Sequence, residues 1–386
     1  MKRIAHFVEY FPVAGNDYIY NQVINNQGAE SLLITEWLAK NKNSFNLEPF
    51  YYNRYSRFSF FNKLNDKLSG RIFNKLYIKK FSAYAQRILE DNKISIMHAH
   101  FGSSGYKLID LKKKLNIPLV VTFYGWDASY CLKNRNWLAR FKPLFEFADK
   151  LIVLCDEVRE RFIRLGCLPE KICVWNIGID LDKFPYHARA YREGEVKLLT
   201  AARFVEKKGY PTLLRALAIL AKKRKDIRLT ALALGYGPLK SSIEQMVADL
   251  GLKNTVTLID TSRIEDFNQF YRQFLASCDI FVLPSTTAKD GDDESGPALS
   301  LVCAQAAGLP VVATPFVGAS RSILDNQTGL YTENGSAEGL AEKLNYLIDN
   351  PDLWNKLGEV GSYYVREKFS LPTQLKALER IYDSLS

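Results

Sequence analysis

Four acids, Asp290, Asp292, Asp293 and Glu294, run into Ser295-Gly296-Pro297, and an apolar stretch follows as far as Gly308. The pattern predicts a loop, a helix that starts at Pro297 and stops at Gly308, and a strand over 310–313. Proline suits a first helical turn because its missing N–H would lack a partner there anyway. Glycine suits the stop because it takes a left-handed conformation easily. The N–H groups at such a helix start, aided by the positive end of the helix dipole, bind anions. The backbone of Ser295, Gly296, Pro297, Ala298 and Leu299 would then cradle a phosphate, with the carboxylate of Glu294 at its edge. An ordinary loop–helix–strand unit with no ligand fits the same residues.

Other segments carry matching chemistry. Arg203 leaves a predicted strand, and Lys208 lies five residues on, at a predicted helix start. Two cations so placed make a diphosphate clamp, with charge from the side chains and direction from backbone N–H groups; solvated charges on a surface loop are the other reading. Gly235 and Gly237 leave the next strand, in a turn where missing side chains let a ligand approach the backbone. Thr261-Ser262-Arg263-Ile264 leaves the third, and Arg263 and Ile264 could hold a nucleobase by stacking and backbone bonds.

In the first half, two strand exits read His98-Ala99-His100-Phe101-Gly102 and Phe123-Tyr124-Gly125-Trp126-Asp127. His98 and His100 share a face if the segment is extended. His98 is expected as a core hydrogen-bonding group; His100, farther out, fits either that role or an active site. Asp127 could bind an acceptor or tie down a backbone turn. Asp290, Asp292 and Asp293 have the composition of a metal site, but a solvated flexible loop is expected.

These groups need elements to position them. Strands are predicted at 2–8, 32–35, 47–52, 94–98, 118–123, 150–154 and 172–175, then again at 196–202, 228–234, 255–259, 279–283 and 310–313, with helices between. Such alternation gives parallel, doubly wound sheets, which bind ligands beyond the carboxyl ends of their strands. The polar run 182–195, with Pro185 and Gly194, is expected as a linker. The fold class is therefore α/β, with two Rossmann-like doubly wound domains facing across a cleft, over 1–182 and from 183 onward. A length of 386 residues suits two domains.

Composition narrows the partners. With 47% hydrophobic and 24% charged residues the chain is globular. It has no run of about 18 apolar residues, the length that would span a membrane. The opening MKRIAHFVEYF lacks the length and cleavage site of a signal peptide and is expected as a first strand. The six cysteines form no C-x-x-C pair and have no histidine at metal spacing, so reduced thiols and no metal site are expected. Net charge is +10, and residues 1–180 carry all of it: 27 Lys and Arg against 17 Asp and Glu, with 25 of each in the remainder. An anionic partner is expected for that half. Within 54–81, Lys63, Lys67, Arg71, Lys75 and Lys79 recur every four residues beside Leu64, Leu68, Ile72 and Leu76, with aromatics interleaved. A basic amphipathic helix of this kind suits an anionic membrane surface; a solvated helix packed on its own domain is the alternative. No nucleic-acid motif accompanies the charge, so nucleic acid is not expected.

At these residues the chain resembles the retaining GT-B glycosyltransferases of family 4. Arg203-Phe204-Val205-Glu206-Lys207-Lys208-Gly209 resembles their phosphate site, Gly235-Tyr236-Gly237-Pro238 their glycine turn, and the segments 279–285 and 308–314 the strands flanking their acidic motif. HAHFG at 98–102, Gly125-Trp126-Asp127 and the stretch 176–180 are similar to the group that builds bacterial surface polysaccharides, of the colanic-acid type. The resemblance implies transfer of a sugar from a sugar nucleotide to a saccharide or lipid-linked saccharide acceptor, with retention and with neither cofactor nor metal. It implies catalytic roles around Glu294, Asp127, His100 and Tyr124, and donor contacts at Arg203, Lys208, Gly235, Gly237, Arg263, Ile264 and residues 295–299. It further implies an acceptor domain, a donor domain over 183–371, and a final helix, 372–386, that returns to the first domain. The expected location is cytoplasmic, peripheral on the inner face of the membrane. Three departures stand out: a second glutamate is replaced by Val302 or Cys303, a histidine by Tyr124, and a glycine-rich first loop by Pro12-Val13-Ala14-Gly15. A non-catalytic sugar-nucleotide binder and a sugar-nucleotide epimerase are the competing readings.

Overall fold

The computed structural model describes residues 1–11, 17–38, 50–52, 69–264 and 266–385. It divides into two compact units, Met1–Gly178 with Gln374–Ser386, and Ile179–Thr373. The first loop at 12–15 and most of the basic segment 54–81 lie outside the described residues; the remainder of that segment opens the helix Ser69–Asp91.

Among the described residues the first unit is built on seven parallel strands: β1 (Lys2–Phe11), β2 (Ala29–Leu38), β3 (Phe50–Tyr52), β4 (Ile96–His100), β5 (Leu119–Thr122), β6 (Lys150–Val153) and β7 (Ile172–Val174). Their order is β3-β2-β1-β4-β5-β6-β7. Strands buried on both faces read as continuous apolar runs, and all four residues of β5 are buried, as are all five of β4, including His98 and His100. The order reverses between β1 and β4, and there His6 pairs in register with His98. The helix Leu371–Asp383 completes this unit: Tyr382 is buried, its hydroxyl meets His98 Nδ1 at 2.7 Å, and Trp175 Nε1 donates to Gln374 O at 3.0 Å.

The second unit has six parallel strands: β8 (Glu195–Ala201), β9 (Arg228–Gly235), β10 (Val256–Asp260), β11 (Ile280–Leu283), β12 (Val311–Ala313) and β13 (Leu330–Tyr331). The order β10-β9-β8-β11-β12-β13 is that of a dinucleotide-binding sheet, with its switch point between β8 and β11. The two-residue β13 escaped the sequence reading because it is too short to show a period.

The polar run 182–195 is mostly exposed, as a linker would be, but two of its residues anchor it to the second unit. Phe184 is buried in the core of the second unit. Arg189 is also buried, and its guanidinium donates to Leu275 O, Cys278 O and Ala307 O at 2.8, 2.9 and 2.6 Å. It closes carbonyls that two helix ends leave without intrahelical donors.

Candidate active site

In the second unit the exits of β8 and β11 converge. Gly209, at φ +67°, lies so close to the β11 exit that an added Cβ would sit 1.8 Å from Pro284 O. Thr286 N donates to Lys207 O at 2.8 Å. This close approach carries Lys208 to Glu294: Nζ lies 2.6 Å from Oε1 and 2.8 Å from Oε2, and Ser285 Oγ donates to Oε1 at 2.6 Å. The two side chains are only 13% and 8% exposed. Burial acts to raise the Glu294 carboxyl, but Lys208 and Lys207, with hydrogen bonds from Lys208 and Ser285, outweigh it and hold the group below the ordinary carboxylate range. Burial draws Lys208 below the ordinary lysine value against the pull of Glu294, and Lys207 and Arg203 add repulsion. Arg203 is exposed. A cation-rich strand exit at a switch point, with one ionised carboxylate held in it, is suited to an anionic ligand that also bears hydroxyls.

The acidic loop differs from the solvated, flexible loop expected. Lys207, 4% exposed, bonds Asp292 Oδ1 at 3.0 Å and Asp293 O at 2.8 Å. Asp293 is buried and accepts from Ser295 Oγ at 2.5 Å. Asp292 N donates to Asp290 Oδ1 at 2.9 Å. A buried ammonium needs partners, and the loop folds back to supply them. Lys207 and Ser285 were not singled out from the sequence; the available signal was the doubled lysine before Gly209.

The backbone cradle is smaller than predicted. The helix runs Leu299–Ala306, with Ala298 as its N-cap, so Pro297 precedes it instead of opening it. Gly296 N donates to Val317 O at 3.1 Å, and Ser295 holds φ +56°. The N–H groups of Ala298 and Leu299 lie at the helix start, where no intrahelical acceptor exists. Gly308, at φ +86°, does end the helix.

Gly235 and Gly237 have a reason internal to the fold. An added Cβ would lie 2.1 Å from Ala202 O at Gly235 and 2.5 Å from Phe204 O at Gly237. The turn is bonded to the β8 exit through Phe204 N to Tyr236 O, 2.7 Å. Close backbone packing explains both glycines and brings the turn beside Arg203. Thr261 N donates to Gly235 O at 3.0 Å, which places exposed Arg263 and half-buried Ile264 by the same turn.

In the first unit, Asp127 is buried and its carboxylate is taken up by backbone. Gly102 N donates to Oδ2 at 2.9 Å; Tyr124 N and Gly125 N donate to Oδ1 at 3.0 and 3.1 Å. Of the two readings open from sequence, the structure supports the backbone turn: Asp127 positions the loops after β4 and β5, and is not placed to react. His100 and Tyr124 are also buried. His100 Nδ1 meets Tyr124 OH at 2.6 Å and its Nε2 meets His6 Nδ1 at 3.0 Å. Burial, with Tyr18 alongside, pushes the Tyr124 hydroxyl well above the ordinary range, which keeps it protonated as a hydrogen-bonding group near neutral pH. His98 is a buried hydrogen-bonding group, between Tyr382 OH and Thr122 Oγ1, each at 2.7 Å.

His6, His98 and His100 bring ligand-type atoms within 4.8 Å of one another, a group that could hold a metal ion. Their ring nitrogens are engaged by hydroxyls and by each other, except His6 Nε2, which has no hydrogen-bond partner among the described residues. The sequence showed only the 98/100 pair, because His6 arrives by strand pairing.

Two parallel Rossmann-like sheets, one with a cationic switch point, define the GT-B glycosyltransferase fold. Two glycosyltransferase families match successive parts of the chain: residues 63–183 match the family described as Glycosyltransferase Family 4, and 187–362 match Glycosyl transferases group 1. Over 253 residues it is 33% identical to the amylovoran biosynthesis glycosyltransferase AmsK of Erwinia amylovora, covering 64% of this chain and 59% of AmsK. It is 27% identical over 326 residues to an uncharacterised glycosyltransferase of Methanocaldococcus jannaschii, covering 82% of this chain and 85% of that protein. Among solved structures, Anabaena HepE, crystallised with UDP and glucose, superposes with a TM-score of 0.78 at 17% identity over the whole of both chains. No helix among the described residues is long and apolar enough to cross a membrane.

Proposed function

We propose that the chain transfers a hexosyl group from a nucleoside diphosphate sugar to a saccharide acceptor in the assembly of a cell-surface polysaccharide. The Lys208–Glu294 pair at the β8/β11 switch point carries this reading. The incoming diphosphate competes for Lys208 and gains Arg203 and the N–H groups of Ala298 and Leu299. Glu294, released from its partner, accepts hydroxyls of the donor sugar. Negative charge grows on the departing diphosphate, so these preorganised donors lower the barrier; loss of one such donor typically costs about 3 kcal/mol. The cations make a metal ion unnecessary for neutralising the leaving group. The reaction proceeds with retention, the leaving phosphate assisting attack from its own face. That AmsK is named for amylovoran biosynthesis and HepE binds UDP and glucose supports the class of product and of donor.

The acceptor is a lipid-linked saccharide, bound by the first unit, and the basic 54–81 segment holds the protein peripherally on the anionic cytoplasmic face of a membrane. The charge of +10 confined to the first 180 residues supports this.

A thermal-shift screen over UDP-, GDP- and ADP-sugars tests the donor reading. A donor at 100 times its dissociation constant should stabilise by about 2.7 kcal/mol. If no nucleotide sugar raises the melting temperature, the reading is lost. Co-sedimentation with phosphatidylglycerol vesicles against phosphatidylcholine vesicles tests the membrane contact; equal partition at low salt would remove it.

A further inference from the structure

The loop that Asp127 holds displays an exposed aromatic side chain with no part in the network beneath it. Trp126 is 45% exposed. Its backbone is fixed on both sides: Asp127 Oδ1 accepts from Tyr124 N and Gly125 N, Ala128 N donates to Gly125 O at 2.9 Å, and Ser129 Oγ donates to the same oxygen at 2.9 Å. Its ring is fixed as well. Tyr130 stacks on it at 5.6 Å between centroids and 14° between planes, and Trp137 meets it edge to face at 5.3 Å. Trp137 packs in turn on buried Phe141, and the Arg140 guanidinium lies 4.8 Å from the Trp137 ring. An exposed tryptophan leaves apolar surface in water and adds nothing to the core, yet here two further aromatic rings hold it still.

We infer that Trp126, backed by Tyr130 and Trp137, is a stacking platform for a pyranose ring of the acceptor. This rests on the assignment of the first unit to acceptor binding. A pyranose has one face of C–H groups and a rim of hydroxyls. The electron-rich face of an indole attracts those C–H groups, and the Tyr130 hydroxyl and Arg140 guanidinium offer rim partners. The position agrees, since Trp126 follows β5 at the carboxyl end of a parallel sheet, where ligands bind. Size agrees too. Among the described residues, the other exposed large hydrophobic residues of this unit, Met1, Tyr10, Ile24 and Leu168, belong to other segments, and a single ring does not amount to a protein interface.

The test is calorimetric titration of the full chain with maltohexaose, cellohexaose and mannohexaose. At least one should bind. Trp126→Ala should weaken it about tenfold, the upper range for a ring–ring contact, and Trp126→Phe should restore most of that loss. The inference is overturned if no hexasaccharide binds the wild type, if Trp126→Ala binds equally well, or if both variants bind equally badly. It is also overturned if Trp126→Phe loses binding to phosphatidylglycerol vesicles, since that would make the ring a membrane anchor. The nucleotide-sugar thermal shift of the wild type is read separately: its absence removes the donor reading, while the hexasaccharide titration still decides the platform.

Discussion

Lys208 and Glu294 are each other's partner, Nζ to Oε1 2.6 Å, and Ser285 donates to the same carboxylate oxygen. The groups that would bind diphosphate and sugar are therefore held together before any ligand arrives. Removing one partner strands the other charge in a largely buried place, which costs about 3 kcal/mol. Lys208→Ala and Glu294→Ala should each destabilise the second unit by roughly that amount in urea denaturation. The double variant should lose less than the sum of the two. Simple additivity would show that the pair is not coupled.

Arg203 should behave differently, because it is exposed. Arg203→Ala should change unliganded stability by no more than about 0.5 kcal/mol. It should weaken nucleotide-sugar binding tenfold or more, since a hydrogen bond to a charged group contributes about 1.5–3 kcal/mol. Isothermal titration beside a denaturation curve separates the two effects. A large stability loss with unchanged binding would assign Arg203 to the fold alone.

Asp127→Asn puts an NH2 where a carboxylate oxygen now accepts backbone N–H groups. A loss of about 1.5–3 kcal/mol in stability is expected, with turnover retained well below the melting temperature. Were Asp127 a reacting group, turnover would collapse while the melting temperature held.

Burial pushes His6 down to about 3, and burial with mutual repulsion pushes His98 and His100 well below the ordinary histidine value. The unfolded chain takes up these protons near pH 6.5. Between the two, the unfolded state binds more protons, so stability rises with pH there. Stability is complete above about pH 6.5 and falls toward pH 3, by up to about 1.4 kcal/mol per pH unit for each histidine. Urea midpoints from pH 7.5 to 4.5 check this, and His98→Gln should flatten the slope. A flat profile would mean that the three rings do not titrate on unfolding.

The sequence determined the architecture. Alternating apolar and amphipathic segments fix parallel sheets because burial on both faces demands continuous apolar strands, and β1 through β12 do pair in parallel. It also named segments that are candidates for site chemistry, because strand exits are where parallel sheets leave backbone and side chains open. What the side chains do there was decided by the tertiary structure. The period of a strand cannot show that His6 lies beside His98, that Lys207 draws an acidic loop inward, or that Lys208 reaches a carboxylate 86 residues away. Nor can it show that Asp127 is used up by three backbone donors while its neighbour Trp126 stays exposed. Hydrogen bonds act over about 3 Å between atoms that chain topology alone brings together, so composition names the candidates and packing assigns their roles.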